Sequence, residues 1–500
     1  MAAGRGDVTP RLNLSTLEQL PRDVAPTVDP GTLAVGIVHL GIGAFHRAHQ
    51  AVYTEAATAA AGGDWGICGV TQRTPTVVEQ LSPQDNLYTV TERDGAGERL
   101  RVIGAVRETL WVRADPDGVS ERMAAPTTRV ISLTVTEKGY HHDPATNRLN
   151  LTDPAIEADL ADGGTRTVLG QLTGGLARRR VRDGGPVTVL CCDNLPDNGR
   201  VLSGLVAEFA GRSPHADGLA DWIIDNVTFP STMVDRITPA TTGADLDHVA
   251  AALGARDEGA VVTEPFTQWV IEDDFAAGRP AWERAGAIMT TDVGPYEQIK
   301  LRLLNGSHST LAYLGQLADR EFMSDTVGPG APFAAVVRRL MATDMAPTLA
   351  VPDGFDLSAY QQQLLDRFAN PALRHRTSQV AMDGSQKLPA RLLAPIRERR
   401  RAGEEPLAAT LGVAAWMRCV SARRSDGGRP LTVDDPLGDE IADRLAGSED
   451  PPMVVDTLLG MSQIFDEELA TDGQWRALLC EQVTSLTRDG AERTAQRVAG

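Results

Sequence analysis

Four short apolar runs stand out in the first 200 residues: LAVGIVHLG (33–41), WGICGV (65–70), RVISLTVTE (129–137) and VTVLCCD (187–193). None alternates apolar and polar residues with period two, so each predicts a strand buried on both faces, as in a parallel sheet covered by helices. Helix-length stretches separate the runs, which is the spacing of βαβ units and predicts a doubly wound α/β domain over residues 34–291. Ahead of it, Pro10, Pro21, Pro26 and Pro30 interrupt any periodicity, and residues 1–33 read as an irregular N-terminal surface arm. From about residue 292 the apolar positions recur at helical spacing, in QIKLRLLNGSHSTLAYLGQLA, APFAAVVRRLMATDMA, LSAYQQQLLDRFA, LPARLLAPIRERRRAGE, LAATLGVAAWMRCVSARR and PMVVDTLLGMSQIFDEELA. No strand run of comparable quality follows, so residues 292–500 are expected to form a mostly α-helical domain.

Length and composition add limits to that picture. A chain of 500 residues with 42% hydrophobic residues is long enough for two cores. The formal charge of −19 and pI near 4.9 exclude a protein that lives on nucleic-acid phosphates or anionic membrane surfaces. A small anionic ligand stays admissible, because a local pocket can oppose the global charge. The five cysteines show no CxxC pair and no zinc spacing, and Cys191 and Cys192 sit inside an apolar run. No window of 18 apolar residues is present and the N-terminus lacks a signal-peptide core, so a reduced, cytoplasmic protein is expected. The RRRVR run (Arg178 to Arg182) reads as a solvated helix end.

The first candidate chemistry lies in GIVHLGIGAFHRAHQ. Gly41 and Gly43 follow a strand and precede a helix, the context in which backbone N–H groups approach a dinucleotide pyrophosphate. The expected cofactor-binding residues are Gly41, Ile42, Gly43, Ala44 and Phe45 of a Rossmann-type turn, although His46 occupies the place of the third glycine. After the second strand, CGVTQRTP offers no acid for a ribose; Arg73 stands there instead, a group suited to a 2′-phosphate, so NAD and NADP both stay open. His46 and His49 are three residues apart but lack a third ligand, which points to structural or substrate-side histidines rather than a metal site.

The second candidate is KLRLLNGSHS. On an α-helix Asn305 and His308 share a face, while Lys300 projects about 80° from His308 and about 140° from Asn305. All three can border one site; an exposed polar stripe is the competing reading. Gly306 costs about 1 kcal/mol relative to alanine in a helix and marks close approach of a ligand or a backbone.

GIGAFHRAHQAVY, SLTVTEKGY, CDNLPDNG, FPSTMVDRITPAT, EPFTQWVIEDDF and KLRLLNGSHS occur in this order and together resemble the mannitol dehydrogenase family of long-chain polyol dehydrogenases, from Gly36 to Lys387. The resemblance implies a metal-independent, NAD-linked oxidoreductase, monomeric or a small homo-oligomer, with a lysine as general acid/base. It places that lysine on Lys300, with Asn305, His308 and Asn194 beside it, a glutamate on Glu137 and an aspartate on Asp235. Lysine ordinarily titrates near 10.4 and must be lowered by roughly 3 units, about 4 kcal/mol, to exchange a proton near neutrality. Burial beside a nicotinamide's positive charge would do this. Asn194 and Asn305 would donate to an oxygen that gains negative charge, His308 would bind that oxygen or a neighbouring hydroxyl, and Glu137 would relay a proton to solvent. A salt link to Arg236 is the bland alternative for Glu137 and Asp235.

Within the family, NPALRHRTSQVAMDGSQKLPARLL and TEKGYHHDPATNRLNL resemble the fructuronate reductase branch. The expected substrate pair is D-mannonate and D-fructuronate, with D-mannitol and D-fructose, or a related polyol such as D-arabinitol, as the alternative. A hexuronate carboxylate calls for cations, and Arg374, Arg376, Lys387 and Arg391 are the candidates, Lys387 foremost. An inactive sugar or nucleotide sensor would show damage to the Lys/Asn/His set, and none is visible. A 6-phosphogluconate-type dehydrogenase would need a site for a phosphorylated substrate, and the motifs point elsewhere.

Overall fold

The computed structural model describes residues 9–500 except 144, 145, 147, 216 and 329. The chain divides into two compact units, Met1–Gly294 and Pro295–Gly500.

The four apolar runs form strands β1 (Val35–Leu40), β2 (Gly66–Thr71), β4 (Val130–Leu133) and β5 (Val187–Cys191); β3 (Val106–Trp111) and β6 (Val227–Thr228) complete the sheet. Its order is β6-β5-β4-β1-β2-β3, and every pairing is parallel. That is the doubly wound arrangement, in which the strand order reverses between β1 and β4. Both faces of β1 are covered. Val38 and Leu40 pack with Leu169, Leu172 and Leu205 on one side, and Ile37 packs with Ala48, Ala51 and Val52 on the other. This two-sided burial is why the strand runs lack alternation. Leu40 is level with Val70 on β2 and Leu133 on β4, so all three strands end together.

Two small three-stranded sheets flank this one. Thr232–Asp235, Gln268–Glu272 and Ile288–Thr290 form the first, with Asp235 opposite Gln268; Tyr88–Arg93, Glu98–Ile103 and Val261–Thr263 form the second.

Two expectations change here. Residues 9–33, read as a surface arm, are tied down: Leu12 is fully buried with Leu87, Val102, Val249 and Leu253 in a third core, and its N–H bonds Arg256 O at 2.8 Å. Residues 1–8 of that arm lie outside the described residues. Within RRRVR, Arg178 and Arg182 do face solvent, but Arg179 is buried. Its guanidinium donates to the carbonyls of Met123, Ala125, Gly185 and Pro186. One arginine thus gives four main-chain carbonyls of this region a donor.

The second unit is helical and centres on Leu407–Ala422, which is apolar on every side and almost wholly buried. Pro406 offers this helix no side-chain cap; Asp344 from a distant segment takes that place, accepting from Ala409 N at 2.8 Å. Burial pushes the Asp344 carboxyl up to about 6, above the unfolded value of about 3.9. Because the folded pKa is the higher one, its contribution to stability is complete below about pH 4 and is lost as pH rises through about 6. Asp344→Asn keeps an acceptor and carries no charge, so the variant should gain on the wild type between pH 4 and pH 7. Urea midpoints across that range check this, and a constant difference would refute it.

Among the described residues no helix is long and apolar enough to cross a membrane.

Candidate active site

The functional residues expected from sequence fall into two clusters, one in each unit. In the first unit most of them collect on the turns at the carboxyl ends of β1, β2, β4 and β5. Gly41 ends β1 at φ +105°, and a Cβ there would stand 2.0 Å from the carbonyl oxygen of Thr134 after β4. Glycine is required twice over, by conformation and by space. Gly43 is exposed and caps the short helix Ala44–Ala48; a Cβ on it would meet nothing closer than 3.8 Å, so this stretch of backbone is open to a ligand.

His46 explains the missing third glycine. Its ring stacks on His39 of β1, centroids 3.4 Å apart, where the fingerprint would use close helix–strand contact. His39 in turn bonds Ser132 Oγ and Thr134 Oγ1, both at 2.8 Å, and Thr134 Oγ1 donates to Gly41 O at 2.9 Å. Burial lowers His39 to about 3 and holds His46 well below its ordinary value, so both rings are neutral. His49 bonds Gln268 O at 3.0 Å and packs among Phe45, Tyr53 and Trp269. Neither His46 nor His49 belongs to a group of three His, Cys, Asp or Glu able to hold a metal, and no such group exists among the described residues. After β2, Gln72 is engaged with Gln171, whereas Arg73 is exposed.

Glu137 stands exposed on the turn after β4, and Asn194 on the turn after β5. Asp235 is buried on its strand, near the Tyr53 hydroxyl. Its neighbour Arg236 is taken by Glu92, at 2.7 Å, and by two bonds to Glu264 O. Glu92 thus supplies the ion pair of this buried guanidinium.

In the second unit Lys300 and Asn305 bound a widened turn. Gly294–Ile299 and Gly306–Leu317 are α-helical, but Lys300–Asn305 between them is a π segment, with Gly306 N bonded five residues back to Leu301 O. This corrects the angle expected from an α-helix. In place of about 140° apart, Lys300 and Asn305 lie one wide turn apart on one face, with His308 a further turn along. Two more π segments, Leu340–Met345 and Pro389–Leu393, pack against the first. Gly306 marks where they meet: a Cβ there would lie 3.0 Å from Arg391 O and 3.5 Å from Met345 Cε. The close approach it allows is that of a backbone. Gly306→Ala should therefore fail to deliver the roughly 1 kcal/mol that alanine usually adds in a helix. A thermal midpoint raised by several degrees would contradict this.

His308 is buried, 9% exposed, with its ring 4.7 Å from Phe368 and edge-on to His375 at 5.5 Å. Burial, then the charges of His375, Arg367, Arg391 and Lys387, hold its imidazole far below the ordinary range. The ring is neutral at pH 7 and offers one donor and one acceptor. Arg391 reaches Ser309 Oγ at 3.1 Å, and Lys387 bonds Met382 O and lies 3.6 Å from Asp383. The other two cations named from sequence have surface contacts. Arg374 and Arg376 are exposed and lie over the Phe322 ring, and Arg376 is paired with Glu321. Sequence reasoning missed Arg367, which is buried beside Phe368. The available signal was an arginine inside the apolar stripe LLDRF.

Comparison with known proteins follows the same division. Residues 35–284 match the mannitol dehydrogenase Rossmann domain and residues 292–496 the mannitol dehydrogenase C-terminal domain. The chain is 46% identical to the uncharacterized oxidoreductase YeiQ of Escherichia coli strain K12, over 90% of this chain and 92% of that one. It is 43% identical to the D-mannonate oxidoreductase of the same organism, over 93% and 96%. Among solved structures, the mannitol 2-dehydrogenase of Pseudomonas fluorescens in ternary complex with NAD and D-mannitol superposes with a TM-score of 0.85 at 36% identity, covering 98% of this chain and 99% of that one.

Proposed function

This chain belongs to the mannitol dehydrogenase family of oxidoreductases, and from that premise we propose that it interconverts D-mannonate and D-fructuronate with a nicotinamide dinucleotide, NAD before NADP. What carries the hexuronate reading is the set of cations, Arg367, Arg391 and Lys387, disposed around a neutral His308. A carboxylate substrate would add a charge-assisted contact to that set, where a neutral polyol offers hydroxyls alone. The higher identity to the D-mannonate oxidoreductase, 43% against 36% for the mannitol 2-dehydrogenase, supports the same choice.

The roles follow from chemistry. The bare backbone of Gly41–Gly43, at the point where the sheet reverses, and the adjoining Ala44 and Phe45 suit a dinucleotide pyrophosphate, and the exposed Arg73 would be the group to meet a 2′-phosphate. A nicotinamide bound there would supply the hydride acceptor for the alcohol and the hydride donor for the ketone. Lys300, half-buried, takes the hydroxyl proton in oxidation and returns it in reduction. Asn194 and Asn305 carry amide donors for an oxygen that gains negative charge. His308 bonds a substrate hydroxyl, Asp235 and Lys387 bind substrate, and Glu137, which faces water, relays the proton.

Initial rates of NADH and NADPH oxidation with D-fructuronate, D-fructose and D-xylulose test this. The expected result is a kcat/KM for D-fructuronate at least tenfold above the others, with NADH preferred. A preference for D-fructose would assign the chain to mannitol oxidation instead, and faster turnover with NADPH would give Arg73 its phosphate.

A further inference from the structure

Asp193 stands next to a residue with an assigned role and has none itself. It follows β5, and its half-buried carboxylate crosses to the turn after the neighbouring strand β4. Oδ2 accepts from Val135 N at 2.8 Å and from the Tyr140 hydroxyl at 2.6 Å, and Oδ1 accepts from Thr136 N at 3.0 Å. Thr136 is held at φ +70°, a conformation that a β-branched residue avoids and that persists only where its surroundings impose it. The next residue is Glu137. On its own side, the Asp193 carbonyl accepts from Leu195 N at 2.9 Å and from Asn198 Nδ2 at 3.0 Å, fixing the loop that carries Asn194.

We propose that Asp193 is a positioning residue for Glu137: with Tyr140 it clamps the strained Val135–Thr136 backbone and so fixes where the Glu137 carboxylate leaves the turn. The proposal rests on the reading of Glu137 as a proton relay. Geometry supports a role beyond stability, because the three donors converge on one carboxylate and two of them are the backbone N–H groups directly before Glu137. Asparagine in its place could not accept with both oxygen positions, and the freed Thr136 would relax toward negative φ, carrying Glu137 with it.

The test measures kcat and KM from pH 6 to pH 10 for Asp193→Asn, Tyr140→Phe, Glu137→Gln and the double variant Asp193→Asn/Glu137→Gln. The substrate is the ketone that turns over fastest in the panel above. Asp193→Asn is expected to lower kcat by on the order of 10²-fold, the cost of a misplacement of about 1 Å, and to change the pH profile of kcat as Glu137→Gln does. Tyr140→Phe, which keeps the carboxylate, should lose less in the same direction. The double variant should be no slower than the worse single one, because both substitutions remove the same function. Multiplicative losses, or an Asp193→Asn enzyme with lower thermal stability and an unchanged pH profile, would overturn the proposal in favour of a structural role. If Asp193→Asn does not fold, a Tyr140→Phe enzyme with wild-type kcat and pH profile overturns it equally. Wild-type behaviour of Glu137→Gln would instead refute the relay itself, a distinguishable failure.

Discussion

Lys300→Ala is expected to lower kcat at least about 10³-fold, within the range a positioned general acid/base supplies, with a thermal midpoint close to wild type. The side chain is half-buried at the start of a widened turn whose backbone hydrogen bonds do not depend on it, so its removal deletes chemistry and leaves the helix. Binding of NADH, followed by fluorescence titration, should persist, because the dinucleotide turn at Gly41–Gly43 belongs to the other unit. Lys300→Arg separates charge from proton transfer. Arginine keeps the positive charge but does not release a proton in this range, so that variant should be nearly as slow as the alanine one. An active Lys300→Arg enzyme would mean that the position supplies only a field. An active Lys300→Ala enzyme would remove lysine from the mechanism.

How far these residues were legible depends on what each is held by. The central strands announced themselves because burial on both faces forces continuous apolar runs. β3 did not, since it is the edge strand and leaves Arg107, Glu108, Leu110 and Trp111 partly exposed, and β6 is two residues long. Leu12 was hidden among prolines because its partners, Val249 and Leu253, lie some 240 positions away in sequence. In the helical unit, KLRLLNGSHS showed which residues to watch, and Gly306 signalled a close approach. That the approach is by Arg391 O, and that it accompanies a π segment aligning Lys300 with Asn305, depends on packing with Pro389–Leu393. No local pattern encodes such a contact. The same holds for the arginines: Arg374, Arg376 and Arg391 look equivalent as letters, and only the fold sets the first two over Phe322 and pairs Arg376 with Glu321.

The specificity of the site should move with Lys387. Lys387→Met keeps an unbranched apolar stem out to Cε while deleting the ammonium group and its charge. Removing one partner of a buried, hydrogen-bonded charge pair costs about 2–5 kcal/mol. The Lys387 side chain is 24% exposed and already bonds Met382 O, which puts the lower end of that range in force. About 2 kcal/mol is roughly a 30-fold loss in kcat/KM for D-fructuronate. D-Fructose has no carboxylate to lose a partner, so its kcat/KM should stay within about threefold, the scale of one neutral hydrogen bond. The ratio between the two substrates is thus the informative quantity. If both fall together, Lys387 serves binding in general, as it would if it met terminal hydroxyls. If neither falls, the carboxylate belongs to Arg391 and Arg367, and substitution of those two residues becomes the measurement that decides whether the charge around His308 selects the substrate.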